Sequence, residues 1–218
     1  MERNHMFSPF SPLSDDPDTD RVIIVSGSPR RGSQSRRIAE EVAWRVANES
    51  PEWVPELIDL AEATVPVWDE SLQDPDSTTT ETWLATSRRL ARASAFVFVV
   101  PEWSGMAPPC LKNLFLMCNR NELAHKPALL VGISAGAGGS YPISELRASS
   151  YKNTRVIYIP DHVVIRHVGD ALRDPIPESE HLDARLRYSL AMLRQYAIAL
   201  RSVRQSRVVD LETYPFGM

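Results

Sequence analysis

The chain has 218 residues, 43% of them hydrophobic and 24% charged, and a formal net charge of -4. These values suit a globular protein of one domain with tails. Glu2, Asp15, Asp16, Asp18 and Asp20 oppose only Arg3 within residues 1–20, so the rest of the chain is neutral, which excludes bulk attraction to nucleic acid.

Residues 1–20 mix Pro9, Pro12 and Pro17 with Ser and Asp and show no apolar period. They read as a disordered tail, with a partner-binding segment as the alternative. They also lack the basic and apolar regions of a signal peptide. Structure is expected from Arg21. Residues 22–25 are a continuous apolar run, the pattern of a strand buried on both faces. After a turn-rich loop, Ile38, Val42 and Val46 recur at helical spacing, which predicts a helix over 33–48. Residues 54–60 form a second strand, and Pro55 points to a sheet edge or a late start. A helix over 78–93 is anchored by Trp83, Leu84 and Leu90. Residues 95–100 are the most apolar strand, and a helix over 108–121 opens on prolines suited to a first turn. A fourth strand spans 128–133, followed by a glycine-rich loop and a helix near 142–151. A fifth strand spans 155–159, and 160–177 is irregular with a small extra strand at 163–165. A long helix over 179–205 and a tail of 206–218 complete the chain, so the folded domain is expected over 21–205. No run approaches the ~20 apolar residues of a membrane-spanning helix.

Strands alternating with helices predict a parallel α/β sheet covered by helices on both faces. Two doubly wound orders are common, the dinucleotide type and the flavodoxin type. In both, ligands bind beyond the carboxyl ends of the strands. The loops after the first, third and fourth strands are therefore the places to look.

The first loop contains Gly27, Ser28, Arg30, Gly32, Ser33, Ser35 and Arg36. Gly27 and Gly32 have the glycine spacing of a nucleotide-triphosphate loop, but Ser33-Gln34 stands where Lys-Ser/Thr is required. The loop also lacks the GxGxxG of a dinucleotide turn. Hydroxyls, arginines and free helix N–H groups suit a terminal phosphate monoester. Alternatively, Ser33 only caps the helix and the arginines are solvated. The second loop runs through Pro101, Glu102, Trp103, Ser104 and Gly105. Its tryptophan either stacks on a flat ligand or packs on the core. The third loop holds Ser134, Gly136, Gly138 and Gly139, whose amides can approach a ligand closely unless the segment is a plain linker.

These residues resemble the NAD(P)H-dependent FMN reductases of the flavodoxin-like fold, a family that includes quinone, azo-dye and chromate reductases. Gly27, Ser28, Arg30, Ser33 and Ser35 are similar to its GSxRxxSxN motif. Pro101 to Gly105, with Pro108, Leu111, Lys112 and Asn113, are similar to its PEYNGSxPxxLKN motif. Ser134, Gly136, Gly138 and Gly139 match its glycine loop, and Asp59-Leu60 followed by Pro66 its second strand and loop. The resemblance covers about residues 21–160. Ser35 and Ser104 replace usual asparagines, and Trp103 a usual tyrosine.

The resemblance implies a flavodoxin-like five-stranded sheet of order 2-1-3-4-5. It implies FMN as cofactor, NADPH or NADH as co-substrate, and Arg30, Ser33 and Ser35 at the phosphate. Residues 101–105 and 134–139 would line the flavin ring on either side. Hydride would pass from the nicotinamide through flavin N5 to a quinone-, azo- or metal-oxyanion acceptor, or to free flavin, by a ping-pong route. No catalytic side chain is implied, because the cofactor carries the chemistry. Loop N–H groups would stabilise charge at N1 of the reduced ring. A cytoplasmic homodimer or homotetramer is expected. Leu111, Leu114, Phe115, Leu116 and Met117 crowd both faces of their helix, which fits a helix buried in a partner or in its own monomer. The competing function is an FMN-binding electron-transfer module, or a flavin-free interaction module, that does not oxidise NAD(P)H.

Other features point away from chemistry. Cys110 and Cys118 on one helix are separated by about 12 Å of rise, too far for a disulfide, and read as free thiols. His162 and His167 are expected on opposite strand faces, so a shared metal is not expected. The arginines of the last helix alternate with Leu186, Leu190, Leu193 and Ile198, the pattern of a solvated amphipathic helix.

Overall fold

The apolar runs become the centre of a sheet and the amphipathic runs its two covers. The computed structural model describes residues 20–118, 121–173, 177–206, 208–211 and 213–214. The elements are β1 (Asp20–Ser26), α1 (Gln34–Glu49), β2 (Trp53–Asp59), α2 (Thr78–Ala91), β3 (Ala95–Pro101), α3 (Pro109–Met117), β4 (Pro127–Ile133), α4 (Tyr141–Ser149), α5 (Tyr151–Thr154), β5 (Ile157–Ile165) and α6 (Pro177–Gln205). A short 3-10 helix at Glu70–Gln73, not expected from the sequence, precedes α2.

The strands are all parallel, in the order β2-β1-β3-β4-β5. This is the flavodoxin-like order that the resemblance implied. Pro55 lies in β2, an edge strand, where its missing N–H costs no ladder bond. Alternation splits the core into two layers. Ile23, Val25, Phe96, Phe98 and Leu130 face α2, α3 and α4. Val22, Ile24, Val97, Val99 and Leu129 face α1 and α6.

Several boundaries differ from expectation. Asp20, counted with the tail, begins β1; it pairs with Trp53 and accepts bonds from Ser94 and Arg201. Residues 1–19 lie outside the described residues. The expected fifth strand and extra strand are one element: β5 runs through, with its register to β4 shifted between Ala128 and Leu130. Pro160 lies in that shift, and Arg147 donates to the carbonyls of Ile159, Pro160 and Asp161, which the shift leaves out of the ladder. The helix expected near 142–151 is two helices, because Ser150 caps α4 before α5 starts. α3 ends at Met117 rather than at residue 121. Its Leu111, Leu114, Phe115 and Met117 are buried in their own subunit, and only Leu116, 59% exposed, faces solvent. In the expected C-terminal tail, the Tyr214 carbonyl accepts a bond from Arg155. Among the described residues no helix is long and apolar enough to cross a membrane.

Candidate functional site

Parallel pairing sets Ser26 beside Asp59 and Val99, and Pro101 beside Ile133. The loops after β1, β3 and β4 therefore leave one edge of the sheet together. Gly27 can turn there because it lacks a side chain. A Cβ at this position would sit 2.8 Å from the Val99 carbonyl oxygen and 3.1 Å from Leu111.

Ser33 caps α1: its hydroxyl accepts from the Arg36 N–H at 3.2 Å. The Ser28 hydroxyl accepts from the Arg30 N–H at 3.3 Å and stiffens the turn. Ser35 lies in the first turn of α1, and its Oγ is buried without a hydrogen-bond partner. Such an orphan is costly in a finished core, and here it sits beside free helix N–H groups. The Ser33 cap is thus made, and an unpartnered hydroxyl lies in the same turn.

The arginines of this segment do different things. Arg36 is bound to carboxylates: its guanidinium meets Glu40 at 2.9 Å, Asp59 at 3.3 Å and Glu62 at 2.5 Å. The Glu40 bond, outweighing partial burial, holds its pKa above the ordinary arginine value. Arg37 donates to the carbonyls of Val168 and Ala171. The sequence places Arg30, Arg31, Arg36 and Arg37 close together as one basic corner; with Arg36 and Arg37 engaged, only Arg30 and Arg31 of the four are left exposed. Arg30 lies over the Trp103 ring, 5.8 Å from its centroid.

Trp103 and Met106 exchange two backbone bonds of 2.9 Å each. The two residues between them both have positive φ, 50° at Ser104 and 77° at Gly105. That is a type I′ turn, in which a serine is strained and an asparagine or glycine is not. Trp103 is half-buried, neither fully packed on the core nor free.

Glu102 ties this second loop to the third. Its N–H donates to the Ile133 carbonyl at 2.9 Å, and its Oε2 accepts from the Gly139 N–H at 2.5 Å. A Cβ on Gly138 would lie 2.6 Å from Glu102 Oε1. Gly139 has a φ of +106°, and a Cβ on Gly132 would lie 2.0 Å from the Gly139 carbonyl oxygen. Gly132, Gly138 and Gly139 are thus required for close approach within the fold, whereas a Cβ on Gly136 would meet nothing within 4 Å. The Ser134 hydroxyl accepts from the Gly136 N–H at 3.2 Å, and Arg166 holds the Ala137 carbonyl at 2.7 Å.

The structure adds supports that sequence reasoning did not assign. Glu145 on α4 accepts from the Ala107 N–H at 2.6 Å and from Lys112 at 2.9 Å. Burial pushes the Glu145 carboxyl up, but these two donors outweigh it and hold it below the usual range. Asn113 donates to the Pro66 carbonyl at 2.8 Å and accepts from the Trp68 N–H at 2.8 Å. Lys112 and Asn113 were visible in the second motif; Glu145 carried no local signal, because its partners lie more than thirty residues away. Cys110 lies half-buried under the first loop, 3.5 Å from the Gly27 carbonyl oxygen, and burial pushes its thiol up.

Comparisons with known proteins bear on the family and the fold. The family profile described as NADPH-dependent FMN reductase matches residues 21–170. A quinone reductase of Pseudomonas putida is 28% identical over 124 residues, 55% of this chain and 63% of that protein. The match thus spans less than two thirds of that relative. In fold, the chain is similar to an oxidoreductase from Corynebacterium diphtheriae, with a TM-score of 0.66 at 17% identity, over 84% of this chain and 98% of the other. It is likewise similar to the flavoenzyme NAD(P)H:(acceptor) oxidoreductase FerB from Paracoccus denitrificans, with a TM-score of 0.64 at 17% identity, over 84% and 98%. With ordered motifs, a flavodoxin-like sheet and a profile match over most of its length, the chain belongs to the NADPH-dependent FMN reductase family.

Proposed function

We propose that this chain is an FMN-dependent NAD(P)H oxidoreductase acting on a quinone, azo compound, metal oxyanion or free flavin by a ping-pong route. The observation that carries the reading is the first turn of α1. There a buried Ser35 hydroxyl has no partner, and Arg30, in the loop that leads into the helix, has no carboxylate bond among the described residues. An anionic phosphate satisfies both. Bound FMN supplies the hydride chemistry.

The protein's part is to bind and orient. Arg30, Ser28, Ser33 and Ser35 hold the phosphate; Arg36, engaged by carboxylates, steadies the turn through its backbone. Residues 101–105 form one wall of the ring slot and residues 134–139 the other. Loop N–H groups at the slot stabilise charge at the polar edge of the reduced ring. The proposal includes a cytoplasmic homodimer or homotetramer. Exposed Leu116, Trp68 and Met106 favour a covered face: Trp68 is bonded to Asn113, three residues from Leu116 on α3, and Met106 precedes the Ala107–Glu145–Lys112 link. A monomer by light scattering at micromolar concentration overturns that part.

A visible spectrum of the purified protein with added FMN, followed by anaerobic NADH or NADPH, tests the function. Bound flavin that bleaches is expected. No flavin bound after reconstitution overturns the reading, and bound flavin that neither nucleotide bleaches turns it into an electron carrier.

A further inference from the structure

The geometry points to Glu102 as a positioning residue that does two things: it fixes the spacing between the two walls of the slot, and it holds an uncompensated negative charge there. The inference rests on the proposed FMN site.

Glu102 follows directly on β3, the central strand, so its backbone is the least mobile part of the second loop. Its N–H extends the β3–β4 ladder through the Ile133 carbonyl at 2.9 Å. Its side chain then crosses to the third loop, where Oε2 takes the Gly139 N–H at 2.5 Å. Gly138 and Gly139 have no room for a side chain. A Cβ on Gly138 would meet Glu102 Oε1 at 2.6 Å, and one on Gly139 would meet Val164 Cγ1 at 3.0 Å. Behind them, Gly132 of β4 sits so close that a Cβ there would reach the Gly139 carbonyl oxygen at 2.0 Å. The third loop is thus pinned between β4, β5 and one carboxylate. A charged acceptor makes this bond roughly twice as strong as a neutral one.

The charge itself is unusual for this edge. Asp59 has Arg36 and Glu145 has Lys112, but no cation among the described residues forms a salt bridge with Glu102. A carboxylate between the two slot walls repels charge that develops on a reduced ring. It therefore biases affinity toward the oxidised form.

The test separates bond from charge. Glu102→Gln keeps an oxygen that can accept from Gly139 and removes the charge; Glu102→Ala removes both. In FMN-free protein, amide exchange at Gly138 and Gly139 should quicken at least tenfold in E102A and stay near wild type in E102Q. With FMN, E102A should bind at least tenfold more weakly and E102Q within about threefold of wild type. E102Q should also favour the reduced over the oxidised flavin by about tenfold relative to wild type, a rise in potential of about 30 mV for two electrons. Unchanged exchange in E102A overturns the clamp, and an unchanged potential in E102Q overturns the charge role. If wild-type protein binds no FMN, the charge role falls with the FMN site, while the exchange comparison still decides the clamp.

Discussion

The Lys126 cluster at the amino edge of the sheet and the first-loop turn at its carboxyl edge treat buried polar groups in opposite ways. At the amino edge, Lys126 is buried just before β4, and its ammonium donates three bonds, to the carbonyls of Leu90 at 3.0 Å, Ala91 at 2.6 Å and Glu122 at 2.8 Å. That uses every donor it has and closes the last turn of α2. The Glu122 carboxylate nearby accepts from Ser87 at 2.8 Å. At the carboxyl edge, the Ser35 hydroxyl has no partner, Arg30 rests on an indole, and Ser104 sits at a φ of 50°. The Lys126 cluster is saturated and the first-loop turn is unfinished. Saturated networks hold a fold together, while unfinished ones keep bonding capacity for a ligand. The proposed FMN site lies on the unfinished turn.

Substitutions should therefore separate the edges. The largest effect is expected at Lys126. Lys126→Met takes the ammonium from three carbonyls, of which that of Leu90 keeps the Ala93 N–H, and should cost about 3–5 kcal/mol of folding stability, read from the urea midpoint. FMN affinity of the folded protein should not change. An unchanged midpoint would remove the structural role of the amino edge.

The same residue predicts a pH dependence. Burial pushes the Lys126 amine from 10.5 down to about 7, with Arg204 adding to the fall and Glu122 opposing it. The folded state thus binds fewer protons than the unfolded chain between these values, so this group makes stability rise with pH from about 7 to 10.5. Lys126→Met should flatten that rise. A rise of the same slope in the variant would assign it to another group.

Next comes Gly132→Ala. Its Cβ would meet the Gly139 carbonyl at 2.0 Å, so β4 and the third loop must part. A loss of about 1–3 kcal/mol is expected, together with weaker FMN binding. Thermal melts with and without FMN check this; a variant as stable as wild type would show the third loop to be free to move. Arg30→Ala should do the reverse of Lys126→Met. Stability should stay within about 0.5 kcal/mol, while FMN binding weakens by about 1.5–3 kcal/mol, roughly tenfold or more. Unchanged affinity by fluorescence titration would put the phosphate elsewhere.

Ser104→Asn should give the smallest change. Asparagine tolerates the left-handed conformation better than serine, so a gain of about 0.5 kcal/mol is expected, a rise in Tm of about 1–2 °C. A lowered Tm would mean that the serine hydroxyl contributes more than the strain costs.

Much of this was legible in the residues. Continuous apolar runs at 22–25, 95–100 and 128–133 could only be strands buried on both faces, and they are the three central ones. The motif of Gly27, Ser28, Arg30, Ser33 and Ser35 marked the turn that opens α1, and Pro55 fitted the edge strand. What was misjudged depended on partners distant in sequence. Adjacent arginines looked like one basic corner, yet Arg36 turns to Asp59 and Glu62 while Arg37 turns to the carbonyls at 168 and 171. For α3, where a partner and the subunit's own core were both open, four of the crowded side chains fill the subunit's own core. β5 was split in the reading because Pro160 breaks the pattern, although Arg147 supplies the donors that let the strand continue.

The sequence by itself determined the sheet, its helical covers and the three loops, because local periodicity and turn chemistry act within a few residues. Only the tertiary structure decided which charges remain available. Glu102 and Glu145 are ordinary acids in the sequence, and they become clamps when Gly139 and Ala107 bring N–H groups to them across some 37 positions of chain. A carboxylate or guanidinium reaches whatever the fold places beside it, and no local pattern records that neighbour.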